Sequence, residues 1–171
     1  MRKIYYSLPI IFTMLFYLHS GFNSLADNDE SEQEMEIKSL AFDQSIQTPI
    51  VLLTDKDKTS ILPIWIGLCE ARSIELSLSD KVAPRPLTYD LIAAILRTMK
   101  AKVERIVIVD LRDEVYYAQV EVSVDGKISK IDARPSDAIA LASRMNAPIF
   151  VKKGVLDKAA LLDPVQEKRG L

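Results

Sequence analysis

With 171 residues, 49% hydrophobic and 27% charged, the chain has the composition of an ordinary globular protein of one domain. A formal net charge of −2 excludes a strongly basic nucleic-acid binder, so phosphate contacts would have to come from locally placed arginines. The single cysteine, Cys69, excludes an intramolecular disulfide, and the single histidine is His19.

The chain opens with Arg2 and Lys3, an apolar run over residues 4–18 and the small-residue segment Ser24-Leu25-Ala26. This pattern predicts a signal peptide, residues 1–26, and export to the periplasm or beyond the cell. The apolar run is short beside the ~20 residues of a membrane span, although an uncleaved N-terminal anchor is the alternative. Cleavage after Ala26 would remove His19, leaving a mature protein without histidine and without a membrane segment. Residues 27–34 are acidic and aperiodic and predict a flexible spacer. Setting these acids aside with Arg2 and Lys3 leaves 20 of the 22 basic residues against 19 of the 24 acidic ones over residues 35–171, so the folded part, residues 35–162, is close to neutral. Residues 163–171 read as a tail.

Residues 35–42 and 49–53 are β-compatible runs, and residues 61–66 a third strand in which Pro63 favours an edge or a bulge. Residues 68–79 have helical spacing, with Ala71, Ile74 and Leu78 on one face. After the break at Pro84 and Pro86, Thr88 reads as an N-cap before the stripe Leu91, Ile92, Ile95, Leu96 and Met99. Residues 103–111 and 115–124 are β-like, and Asp125-Gly126 signals a hairpin into residues 127–132. Pro135 suits the first turn of a helix that Asn146 ends. Residues 148–151 form a short strand, and residues 156–162 a last helix. The order βββαα-βββ-αβ(α) predicts an α+β fold with a mostly antiparallel or mixed sheet and three to four helices.

Arginine beside carboxylate at element ends is the pattern that points to phosphate chemistry. A helix start offers free N–H groups and a positive dipole end, and Arg85 and Arg134 each precede one. A guanidinium fork matches phosphate oxygens. Without histidine, water activation would fall to a divalent metal held by carboxylates, Mg²⁺ or Mn²⁺. The candidate ligands are Asp110, Asp113, Asp132 and Asp137, with Glu70 and Asp90 further off. Asp132, Asp137, Arg134 and Arg112 are the catalytic candidates, and Arg85, Arg134, Asp90 and Tyr117 the substrate-binding ones. Each also has a structural reading. Asp90 and Asp137 complement helix dipoles, Arg112-Asp113-Glu114 is a charged turn, Arg134 pairs with Asp132 or Asp110 to fix the sheet–helix junction and Glu70 faces solvent. Trp65 and Tyr117 are then core or interface aromatics, and Cys69 a small core residue.

Four blocks, in order, are the most informative: Pro63-Ile64-Trp65-Ile66-Gly67 with Glu70-Ala71, Arg85-Pro86-Leu87-Thr88-Tyr89-Asp90-Leu91, Asp110-Leu111-Arg112-Asp113 with Tyr116-Tyr117-Ala118, and the run from Asp132 through Arg134-Pro135-Ser136-Asp137 to Leu141. Together they resemble the bifunctional nuclease domain family over nearly the whole folded part. The resemblance implies a small α+β domain that self-associates into homo-oligomers and cleaves both DNA and RNA. The chain departs from the family pattern at Tyr89, where histidine is expected, and in its export signal. A non-catalytic oligomeric binding or assembly domain is the alternative function.

Overall fold

A computed structural model describes residues 31–79 and 81–162; the expected signal peptide, residues 1–26, and the expected tail, residues 163–171, lie outside the described residues. The elements are β1 (Glu32–Asp43), β2 (Thr48–Asp55), β3 (Ile61–Trp65), α1 (Leu68–Leu78), α2 (Thr88–Thr98), β4 (Lys102–Arg112), β5 (Val115–Val124), β6 (Lys127–Ala133), α3 (Pro135–Met145), β7 (Ile149–Lys152) and α4 (Lys153–Leu162). This is the expected α+β order. The strands form one seven-stranded sheet, β3-β2-β1-β7-β4-β5-β6. It is mixed: β4 and β7 pair in parallel, and the other neighbours are antiparallel.

Two meanders, β1-β2-β3 and β4-β5-β6, make up the sheet, and β7 lies between β1 and β4. Tight turns set the second meander. Asp113 and Glu114 (φ 49° and 62°) join β4 to β5, and Asp125 and Gly126 (φ 49° and 78°) join β5 to β6. Positive φ at both central residues matches the right-handed twist of the flanking strands. Pro63, which cannot donate to a ladder, sits on β3 at the sheet edge, as expected.

By register, Val120 lies beside Ile106 and Ala118 beside Ile108, on the face that packs against α3. There α3 buries Ala138, Ile139, Ala140, Leu141 and Ala142. On the other face Phe150 lies beside Val107 and Val107 beside Gln119. Arg105 covers the Phe150 ring at 5.3 Å and pairs with Glu121 at 2.8 Å and with Glu32.

Several local expectations shift. The first strand begins at Glu32, within the acidic stretch read as a spacer, because Glu32, Gln33 and Glu34 pair with β7. Arg105 and Lys56 neutralise Glu32 and Glu34. Thr88 is the first helical residue of α2 and not its cap; Leu87 is the cap, and its N–H donates to Asp90 Oδ2 at 2.9 Å. On α1, Leu78 is exposed while Glu70 and Ser73 are buried beside Ile74. Cys69 is exposed in the first turn of α1 rather than part of the core, and Trp65 is about half exposed. Among the described residues, no helix is long and apolar enough to cross a membrane.

Ile139 is fully buried where α3 meets the sheet. Ile139→Ala is expected to lower the unfolding free energy by about 2–5 kcal/mol, read from urea denaturation. A loss under about 1 kcal/mol would mean that α3 does not anchor the core.

Candidate functional site

Helices α1, α2 and α3 each carry an acid at the third helical position: Glu70, Asp90 and Asp137. An acid there complements the positive end of the helix dipole. Each is also met by an arginine of the α3 segment. Arg134 is the residue before the first turn of α3. Its Nε donates to Asp137 Oδ2 at 2.6 Å, and its Nη2 donates to Asp137 Oδ1 and to Glu70 Oε1, both at 2.9 Å. From α2, the Tyr89 hydroxyl donates to Asp137 Oδ1 at 2.6 Å. At the far end of α3, Arg144 Nε lies 3.3 Å from Asp90 Oδ1 and 3.4 Å from Ser73 Oγ. Ser77 Oγ donates to the Ser143 carbonyl at 2.6 Å.

The electrostatics follow from these bonds. The Arg134 guanidinium, with help from the Tyr89 hydroxyl, holds the Asp137 carboxyl below its ordinary value against the opposing effect of burial. Burial and then the Asp137 carboxylate push the Tyr89 phenol well up, so it remains a donor. Asp137 in turn raises Arg134. Gly67, before the first turn of α1, has extended backbone that any residue adopts. A Cβ there would collide with the Glu70 carboxylate, so the glycine serves that close approach.

Arg134 also borders a cleft of about 720 Å³. The cleft is walled by Pro63, Trp65 and Gly67 from the β3–α1 junction and by Leu111, Glu114 and Tyr116 from the β4–β5 hairpin. Arg134, Pro135 and Ser136 at the start of α3 and Ala159 and Leu162 of α4 complete it. The starts of α1 and α3 thus open on one space, with an arginine side chain between them that is 70% exposed.

The sequence candidates fall into several places. Arg134 meets Asp137 and Glu70, and not the expected Asp132 or Asp110. Asp90 lies with Arg144 at the other end of α3. Asp110 is held by Lys158 at 2.9 Å and Arg112 at 3.0 Å, chiefly Lys158 keeping its carboxyl below the ordinary range. Arg112 stacks over the Tyr117 ring at 4.0 Å. Asp113 is in the hairpin turn, Asp132 lies on exposed β6 opposite Gln119, and Arg85 is exposed between α1 and α2. None of Arg85, Asp90, Arg112 and Tyr117 lines the cleft. Asp110, Asp113, Asp132 and Asp137 do not gather as a ligand set, and among the described residues no three Asp, Glu, Cys or His side chains form a metal-holding group. Sequence reasoning left Glu114, Tyr116 and Ser136, which line the cleft, outside the site candidates, and read Glu70 as an outlying metal ligand or else a solvent-facing acid, whereas it is buried. Gly67 three residues before Glu70 was the available signal, since a bare Cα there leaves room for a carboxylate.

The fold and cleft define an α+β domain with an accessible arginine set between two helix starts. The bifunctional nuclease domain model matches residues 51–163, and the chain belongs to that family. It is 37% identical over 131 residues to an uncharacterized protein of Mycobacterium tuberculosis, found in two strains, covering 77% of this chain and 78% of that one. It is also 29% identical over 109 residues to Bifunctional nuclease 1 of Arabidopsis thaliana, covering 61% of this chain and 34% of that protein.

A carboxyl held down in the folded state contributes stability above its unfolded value, and that contribution is lost as pH falls through the folded value. Asp137→Asn is therefore expected to destabilise the protein at neutral pH, with the gap from the unchanged chain shrinking below about pH 4. Urea midpoints measured down the acid range test this. A gap that persists under strongly acidic conditions would show that the Asp137 charge is not what Arg134 and Tyr89 hold.

Proposed function

We propose that the protein cleaves phosphodiester bonds of DNA and RNA, with the backbone phosphate received in the cleft at Arg134. One observation carries this reading: the starts of α1 and α3 and an exposed guanidinium face the same space. Free N–H groups and a helix dipole favour an anion there, and Arg134 adds charge and a planar fork. Arg134 bonds Asp137 and Glu70 through Nε and Nη2, and Nη1 takes no part in those pairs. Family membership and the likeness to Bifunctional nuclease 1 support the substrate class.

The four aspartates expected to bind Mg²⁺ or Mn²⁺ do not fit a shared site, so no step is assigned to a metal held by them. Glu114, exposed on the hairpin turn, is the carboxylate that lines the cleft. In this reading Glu114 takes a proton from water as that water attacks phosphorus, and the bridging P–O bond breaks with its electrons leaving on the departing oxygen. Arg134 offsets the charge that builds on the phosphoryl oxygens.

The ion pairs themselves favour a second reading, a binding or assembly domain without catalysis. All three acids at helix starts are engaged by arginine, as structural ion pairs would be.

Cleavage of single-stranded DNA, duplex DNA and RNA, assayed with Mg²⁺, with Mn²⁺ and with chelator, separates the two. Arg134→Ala is expected to lower kcat/KM by about 100-fold or more, and Arg134→Lys to recover only part of the loss. Glu114→Gln should lower kcat with little change in KM. Arg85→Ala, outside the cleft, should leave cleavage unaltered. Activity that survives both Arg134→Ala and Glu114→Gln would remove the site from this cleft. Nucleic acid bound but uncut by the unchanged protein would favour the binding domain.

A further inference from the structure

Beyond Arg134 and Glu114, most of the cleft has no use for an anion. Its lining there is apolar, with Pro63, Ile64 and Ile66 from the β3–α1 junction, Leu111 and Val115 from the hairpin and Leu162 from α4. Two aromatic residues join these walls. Trp65, the last residue of β3, is 48% exposed, and its indole N–H donates to Asp43 Oδ2 at 3.4 Å, so its polar edge is already engaged. Tyr116 of β5 lies beside Leu111 in register. Burial alone pushes its phenol up, so the ring stays neutral at ordinary pH.

A hydroxyl interrupts this lining. Ser136, the second residue of α3, is 8% exposed and borders the cleft. Its hydroxyl makes no hydrogen bond within the described residues. Among those residues no side-chain polar atom is both shut off from solvent and unpartnered, so the Ser136 Oγ is reached from the cleft. A polar group so deep in an apolar wall costs free energy until it is paired.

We infer that the cleft has, beside the phosphate position, a subsite for one unpaired nucleobase of a single strand, packed against Tyr116 and Trp65 with its polar edge at Ser136. This rests on the reading of Arg134 as a phosphate ligand and names what hangs from that phosphate. A base is flat, with apolar faces and an edge of donors and acceptors, which matches aromatic walls with a single hydroxyl. Because a serine hydroxyl both donates and accepts, it suits the edge of every base. An acyl chain would leave that hydroxyl unpaired. Charge argues the same way. The residues after the acidic stretch carry 20 basic against 19 acidic groups, so the protein lacks the broad basic field that holds a strand by its phosphates alone. Base–aromatic stacking, which is tolerant of sequence, supplies the missing affinity. A volume of about 720 Å³ suits a small ligand and not a double helix. In a duplex the faces and edge of each base are already occupied by its neighbours and its partner, so only an unpaired nucleotide fits.

The test is calorimetric binding of three probes to the full chain: ribose 5-phosphate, a nucleoside 5′-monophosphate, and a single-stranded trinucleotide with phosphorothioate links that resist cleavage. The monophosphate should bind more tightly than ribose 5-phosphate, and the trinucleotide at least as tightly as the monophosphate. Tyr116→Ala should weaken the monophosphate by about 5- to 150-fold, the range of base–aromatic stacking, and leave ribose 5-phosphate unaltered. Ser136→Ala should weaken the monophosphate alone as well. Trp65→Ala, at a half-exposed position, decides the matter if Tyr116→Ala does not fold. A monophosphate that binds no better than ribose 5-phosphate overturns the base subsite, and so does one indifferent to both aromatic variants. A monophosphate that binds while the trinucleotide does not makes this a pocket for free nucleotides and overturns the inference for a strand. Failure of the phosphate reading is a different result: ribose 5-phosphate binding and cleavage would both be unaltered in Arg134→Ala, and the base subsite would fall with it.

Discussion

The helical layer depends on two arginines of one segment. Arg134 and Arg144 bracket α3, and each reaches both neighbouring helices. Arg134 binds Glu70 of α1 directly and Tyr89 of α2 through Asp137, while Arg144 meets Ser73 of α1 and Asp90 of α2. The α1 face turned to α3 is polar as a result, with Glu70, Ser73 and Ser77 in the row that an apolar packing would fill. Such a face is tolerated only when its groups are satisfied. The Glu70 side chain is just 12% exposed and that of Arg134 is 70% exposed. Removing the arginine strands a carboxylate out of water, whereas the arginine itself gives up little hydration to make the pair. The tie between helices is therefore also an accessible cation.

The sheet explains why that cation stands at a cleft. Each meander ends on an edge strand, β3 or β6, and a helix follows at once, α1 from one edge and α3 from the other. Both helices fold back over the same face and pack on each other, so both begin at the same end of the molecule. The β4–β5 hairpin and the end of α4 supply the remaining walls. Two copies of one local pattern, meander then helix, thus bring two dipole ends to one space. β7 between the meanders adds the parallel pairing with β4 that makes the sheet mixed.

Most of the fold was legible because its signals are local. Pro63 marked an edge, Asp125-Gly126 a two-residue turn, Pro135 a helix start and Asn146, with φ 54°, a helix end. The pairs across long separations were not legible. Glu32 to Glu34 look like an acidic spacer until Arg105 and Lys56, on other strands, are placed beside them. Glu70 looks like a surface acid because its partner is 64 residues away. The sequence blocks carried the family but not the pairing of their charges: Arg134 was expected to meet Asp132 or Asp110, yet it meets Asp137 and Glu70, while Asp110 is held by Lys158 and Arg112. Glu114 stayed hidden inside a turn whose charges have an ordinary solvent-facing explanation.

Tyr89 stands where the resemblance leads to an expectation of histidine, and the two side chains would give the network around Asp137 different chemistry. Position 89 follows the first helical residue of α2 and is buried, and its side chain must give Asp137 a hydrogen bond that Arg134 does not supply. A histidine there would donate to Asp137 too, but its ordinary pKa near 6.5 puts a change of charge within the physiological range. A carboxylate partner would favour the charged imidazole and burial the neutral one, so the bond would depend on pH. The tyrosine hydroxyl has no such choice, because burial and the Asp137 carboxylate both oppose its ionisation. With tyrosine, Asp137 remains a charged acceptor held by two permanent donors, and the position of Arg134 at the cleft does not pass through a titration near neutrality. A histidine at position 89 would also be a proton carrier near neutrality, which the tyrosine is not. Any proton movement at the cleft then falls to groups on its walls, among which Glu114 is the carboxylate.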